Sequence, residues 1–180
     1  MAQTPAALLE SRPEGLYSSA FEATVDPIAP VPRAILTHAH SDQAIEGLSE
    51  IWATPETLAI HRRRHPEWNG AGRELRYGED VVRDGARLRL VPAGHILGSA
   101  QVWLGLDGDS LLYTGDFKLR HARTCVPAEA PHAETLLMET TFGLPVFVFP
   151  PREELERRIL DVCREALEAG EIPVLLAYSL

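Results

Sequence analysis

Thr37-His38-Ala39-His40-Ser41-Asp42-Gln43 follows directly on the run Arg33-Ala34-Ile35-Leu36. A short apolar run that breaks off into polar residues is the pattern of a buried strand delivering a functional loop. Two histidines two residues apart in such a loop can both turn toward one metal ion. The aspartate two residues further on can reach the same pocket. Imidazole and carboxylate donors suit zinc, and also manganese or iron. Taken alone, HxHxD is equally a set of ordinary polar loop residues.

Downstream, the same arrangement recurs twice. Pro92-Ala93-Gly94-His95-Ile96-Leu97-Gly98-Ser99-Ala100 places His95 after a strand-like run and between two glycines, which allow tight turning and close backbone approach. Tyr113-Thr114-Gly115-Asp116 ends another apolar run in Gly-Asp. A carboxylate there can ligate a metal or bridge two, although aspartate after glycine is also common in turns. Each signal is modest, and their joint order at successive strand ends is what points to a metal centre.

The rest of the chain supplies the frame. Gly15 to Pro27 reads as one or two short strands. Thr54-Pro55-Glu56 opens a helix with Thr54 as N-cap and Pro55 at its first position, ending before Pro66. From Glu74 to Glu139 the pattern is β-rich. Arg87 to Val91 alternates, Gln101–Leu106 and Ser110–Thr114 flank the hairpin signal Asp107-Gly108-Asp109, and Thr135 to Glu139 is a further strand. After Pro150-Pro151, the spacing of Leu155, Ile159, Val162, Ala166 and Leu167 predicts an amphipathic helix stopped near Gly170. Pro173 to Tyr178 reads as one more strand. This order suits a layered α/β architecture.

With 180 residues, 45% hydrophobic and 24% charged, the chain has an ordinary globular balance and enough length for one compact domain. No run approaches the roughly 18 apolar residues of a membrane span. Residues 1–15 lack a basic segment followed by an apolar one, which argues against a secretory signal. Cys125 and Cys163 form no CxxC pair, and a reducing cytoplasm fits them. The net charge of −9 opposes a simple nucleic-acid binder, whose affinity rests on basic contacts to phosphate. Arg62, Arg63 and Arg64, with His61 and His65, read as the exposed face of a short helix rather than a nucleic-acid contact. His121 and His132 read as surface residues, and Trp52, Trp68 and Trp103 as packing residues.

The motif set resembles the metallo-β-lactamase superfamily, whose loop reads HxHxDH. Within it, the Pro92 to Ala100 segment and Glu139-Thr140-Thr141-Phe142-Gly143 resemble the β-CASP nucleases. Arg12-Pro13-Glu14-Gly15-Leu16-Tyr17 and Thr141-Phe142-Gly143-Leu144-Pro145 are most similar to the exonucleases associated with bacterial DNA ligases. The resemblance covers about Arg12 to Leu180. It implies an αββα sandwich and hydrolysis of nucleic-acid phosphodiesters, on DNA in preference to RNA. It further implies that His38, His40 and His95 match ligands of a first metal, Asp42 a ligand of a second, and Asp116 the carboxylate bridging both. Glu139 matches the acidic residue of the first β-CASP motif, and Lys118 is the candidate phosphate contact.

Two departures shape the expectation. Position 43 is Gln where the family has His, and an amide is a poor zinc ligand beside imidazole. Residues 1–180 also correspond to the N-terminal portion of the family domain, with the β-CASP domain beginning near 180 and the returning segment absent. The expected centre therefore holds one zinc ion, with manganese as the alternative, and Asp42 is free to act as a general base. Apolar surface left uncovered would favour a homodimer. Two other readings stay open. One is a catalytically silent domain serving as an interaction module or remnant. The other is a small-molecule hydrolase on the same fold.

Overall fold

The computed structural model describes residues 8–177. The chain divides into two compact units, Met1–Glu139 and Thr140–Leu180. In the first, eleven strands form two sheets. One has six strands in sequential order, β1 (Glu10–Arg12), β2 (Gly15–Ser18), β3 (Ala23–Val25), β4 (Arg33–Ile35), β5 (Glu50–Ala53) and β6 (Ala71–Glu74). It is antiparallel through β1, β2 and β3 and parallel from β3 to β6. The other has five strands: β7 (Asp80–Arg83), β8 (Ala86–Pro92), β9 (Ala100–Leu106), β10 (Asp109–Tyr113) and β11 (Thr135–Leu137), with only the β10–β11 pair parallel.

Period-two alternation builds two cores from one sheet. Ile35 and Trp52 face inward to join Phe21, Val25, Leu88, Leu90, Val102 and Leu104 between the sheets. Their neighbours Ala34, Leu36, Ile51 and Ala53 face the other way and pack with Leu58 of helix α1 (Pro55–Arg64). The layers are therefore helix, sheet, sheet. Because β4 and β5 are buried on both faces, they read as short unbroken apolar runs rather than alternating ones.

Helix α1 follows its signals. Thr54 caps it by accepting from Thr57 N at 3.2 Å, and donates its own hydroxyl to Gly98 O at 2.7 Å. Pro66 disfavours helical geometry at His65, which leaves the helix at φ −119° and ψ 71°. In the second unit, α2 (Arg152–Glu168) closes where Gly170 adopts φ +76°, so that Glu171 N reaches Ala166 O at 2.8 Å. Asp107-Gly108 forms the two-residue hairpin turn with both residues at positive φ.

Several expectations are corrected. Residues 173–177 form no strand, because among the described residues no neighbour pairs with them; Tyr178 lies outside the described residues. β5 and β6 lie outside the strands expected from the sequence. β1 and β6 are exposed edge strands without apolar alternation, so periodicity did not reveal them. The strand at Thr135 ends at Leu137 rather than Glu139. His61 is fully buried rather than part of an exposed basic face.

Candidate metal centre

Four strand ends converge. The β4 end delivers His38 and His40, the β8 end His95, the β10 end Asp116 and the β11 end Glu139. Ala100 N donates to Thr37 O at 2.7 Å, tying the two sheets together at this edge. Two glycines permit the approach. A Cβ on Gly115 (φ +51°) would lie 2.7 Å from Thr37 Oγ1, and one on Gly94 (φ +71°) 2.4 Å from Lys118 O.

The donor atoms of His38, His40, His95 and Asp116 all lie within 4.8 Å of one another. His38 Nε2 and His95 Nε2 stand 3.7 and 3.6 Å from Asp116 Oδ2, and His95 Nε2 stands 3.2 Å from His40 Nδ1. The three rings are mutually edge-on, with centroids 4.9 to 5.0 Å apart.

The supporting contacts define which nitrogen of His38 faces the centre. Thr37 Oγ1 donates to the half-buried Asp26 carboxylate at 2.7 Å, so its lone pairs are left for His38 Nδ1 at 3.0 Å. Nδ1 then carries the proton and Nε2 carries a lone pair. That Nε2 is buried and has no hydrogen-bond partner. An orphaned imidazole lone pair aimed among two more imidazoles and a carboxylate is the feature a divalent cation would satisfy, and the N₃O donor set fits zinc or a neighbouring ion. Burial, reinforced by the neighbouring His95 and His40, pushes the His38 pKa down to about 3. Burial also lowers His95 against the opposing pull of Asp116. These two imidazoles are therefore neutral donors at neutral pH. Burial raises the Asp116 carboxyl, with Glu139 and Asp42 adding to the effect.

Other anticipated residues sit around this group. Asp42 is exposed and lies outside the four, though its charge is felt by His38 and Asp116. Lys118 is exposed and donates its backbone N–H to Ala93 O at 2.9 Å. Glu139 is half-buried, takes no place among the four, and acts electrostatically on His95 and Asp116. Gln43 keeps a buried amide oxygen that has no hydrogen-bond partner.

Sequence reasoning missed Asp26. It accepts from Thr37 N at 2.8 Å, from Thr37 Oγ1 and from Tyr113, and burial raises its carboxyl to about 6. Its only signal was an acidic residue closing the alternating run of β3, in a left-handed conformation (φ +42°) that Asp tolerates. Ser99, quoted only as part of a motif, holds the His95 loop by accepting from His95 N and Ile96 N at 3.0 and 3.1 Å.

Several known proteins resemble this chain in sequence. The chain is 42% identical over 170 residues to a probable DNA ligase of Opitutus terrae, covering 92% of this chain and 16% of that protein. It is 33% identical over 106 residues to an RNase J-like protein of Methanocaldococcus jannaschii, covering 58% of this chain and 25% of the other. It is 45% identical over 102 residues to the transcription termination factor FttA of Pyrococcus abyssi, covering 53% and 16%. The chain thus spans a quarter or less of each relative. Among solved structures, a protein of unknown function from Enterococcus faecalis superposes with a TM-score of 0.52 at 16% identity, covering 76% of this chain and 39% of that one, a likeness of fold alone. The family model described as the metallo-beta-lactamase superfamily matches residues 6–162, and the chain belongs to that superfamily.

Proposed function

We propose that this chain is the metal-bearing domain of a hydrolase of nucleic-acid phosphodiesters, exonuclease-like and acting on DNA in preference to RNA. The observation that carries the reading is the convergence of His38, His40, His95 and Asp116 around the orphaned Nε2 of His38. The relative covering 92% of the chain is a probable DNA ligase, which favours DNA; the RNase J-like protein and FttA match 58% and 53% of it.

The four residues would hold one zinc ion, with manganese as the alternative. When bound, such an ion supplies Lewis acidity toward a phosphoryl oxygen and toward water. The protein's own groups do the rest. The neutral imidazoles leave the centre's charge to Asp116. Asp42, exposed beside the centre, is the candidate to accept a proton from water. Lys118 is the candidate contact for a phosphate, and Glu139 adds negative charge felt by His95 and Asp116.

A second reading, a silent domain that keeps the fold and one ion, is favoured by one residue. Gln43 offers an amide where the family offers imidazole, which weakens the site of a second ion. Elemental analysis of the purified chain and of His95→Ala, run beside cleavage of end-labelled single-stranded DNA and RNA, separates the two. We expect metal and cleavage that both depend on His95. Metal that depends on His95 without cleavage of either polymer establishes the silent domain instead. Cleavage unaffected by His95→Ala rejects the proposed centre.

A further inference from the structure

A second constellation of metal-binding side chains lies away from the four strand ends. Helix α1 ends at Arg64, and Pro66 swings the chain away, leaving His65 and Glu67 on the wall of a cleft of about 510 Å³. The opposite wall is the segment Glu46 to Ser49. His65 Nδ1 stands 3.8 Å from Glu46 Oε1 and 3.7 Å from Glu67 Oε1, and the three donor atoms lie within 4.8 Å of one another.

The far side of the His65 ring is already committed. Its Nε2 lies 2.6 Å from Ala44 O, a carbonyl that can only accept, so Nε2 carries the proton and Nδ1 presents a lone pair to the two carboxylates. An imidazole whose outer N–H is held by a backbone carbonyl is the arrangement that orients metal-ligating histidines. Donors about 2.1 Å from a tetrahedral ion lie about 3.4 Å apart, so the observed separations need to close by only a few tenths of an ångström. Two carboxylates facing one imidazole also leave an excess of negative charge that a cation offsets.

The cleft is braced rather than pliant. Trp68 Nε1 donates to Leu48 O at 2.6 Å. Gly70 makes room for this indole, since a Cβ there would lie 2.6 Å from Trp68 Nε1. A further observation is independent of the carboxylates. His61, one turn before His65, is fully buried and neither of its ring nitrogens has a hydrogen-bond partner. Its ring centroid is 4.8 Å from that of His65. His65 caps the end of α1 four residues after His61, and the His61 nitrogens lie outside the group of three donor atoms.

We propose that His65, Glu46 and Glu67 form a second site for a first-row divalent transition ion such as zinc or cobalt, with His61 as the adjacent imidazole. The site clamps the segment that follows the candidate ligand loop to the end of α1. Ala44 joins the two centres: its N–H donates to His40 O at 2.8 Å while its carbonyl accepts from His65.

Titration of the metal-stripped protein with Co²⁺, read by visible absorption, and with Zn²⁺ against a chromophoric chelator tests this. Glu46 and Glu67 have side chains 81% and 68% exposed, so Glu46→Gln/Glu67→Gln leaves the fold intact. The wild type is expected to bind about two equivalents, the Glu46→Gln/Glu67→Gln protein about one, and His65→Gln about one. His95→Ala is expected to lose the other equivalent and keep this one. Identical titrations for wild type and Glu46→Gln/Glu67→Gln overturn the proposal, as does a folded His95→Ala protein that binds no ion. A wild type that binds one equivalent, unaffected by His95→Ala and lost in Glu46→Gln/Glu67→Gln, would count against the catalytic centre and leave this site standing.

Discussion

Replacing Thr37 by valine removes one hydroxyl from a fully buried side chain and nearly preserves its shape. Two hydrogen bonds disappear, one to Asp26 Oδ2 and one to His38 Nδ1. In the metal-free protein the lost bond to a carboxylate costs about 1.5–3 kcal/mol, and an unpartnered imidazole N–H adds a comparable penalty. The variant should therefore unfold with about 3 kcal/mol less stability in urea with chelator present. The more specific effect is on the ion. His38 loses the contact that holds its proton on Nδ1, and loss of such a supporting contact weakens metal binding about 10–100-fold. At saturating Zn²⁺ the stabilisation conferred by metal should then be smaller by about 1.4–2.7 kcal/mol than in the wild type. Ions bound elsewhere cancel in this difference. Urea unfolding of both proteins, with chelator and then with excess Zn²⁺, measures both quantities. Thr37→Ser, which restores the hydroxyl, should restore the increment. An equal metal-linked increment in wild type and Thr37→Val would refute the argument that Thr37 orients His38, whatever the loss in the metal-free state.

Three further outcomes follow from the same geometry. The Asp26 carboxyl is raised to about 6, so the folded state holds its proton more tightly than the unfolded chain. Its contribution is fully present below about pH 4 and lost as pH rises through 6, on the order of 3 kcal/mol. Without metal, the stability difference between wild type and Asp26→Asn should therefore shift in favour of the variant from pH 4 to 7; a flat difference would contradict this. Gly98→Ala forces a side chain into φ +79° with its Cβ 2.8 Å from Thr57 N, and should cost about 2 kcal/mol or more in urea unfolding. A loss within 0.5 kcal/mol, the scale of a neutral surface change, would show that the α1 N-terminus is not seated on Gly98 as described. Gln43→His, made in the Glu46→Gln/Glu67→Gln background to silence the cleft, should raise metal retained on dialysis above that of its parent. Unchanged retention would mean that position 43 does not reach the centre.

Much of the candidate centre was legible because its signals are local. His38 and His40 share one loop, and His95 and Asp116 each follow an apolar run directly, so strand ends could be paired with donor residues without knowing how the strands assemble. Helix α1 was equally legible, since Thr54, Pro55 and Pro66 act through the backbone within a few residues. The edge strands Glu10–Arg12 and Ala71–Glu74 were not. They carry no buried alternation, and only hydrogen bonds to a neighbour make them strands. Pro173 to Ala177 shows the converse: apolar residues without a pairing neighbour do not make a strand.

The order of residues alone determined which side chains are candidates for metal chemistry and where the chain must turn, because turn, cap and ligand preferences are properties of short segments. Tertiary structure decided which of those side chains meet. It placed Asp42 outside the group of four, brought Asp26 from the end of the neighbouring strand to Thr37, and buried His61 beside His65. These placements depend on more than the residues on either side. They are set by how two sheets and a helix pack, and no local pattern encodes them.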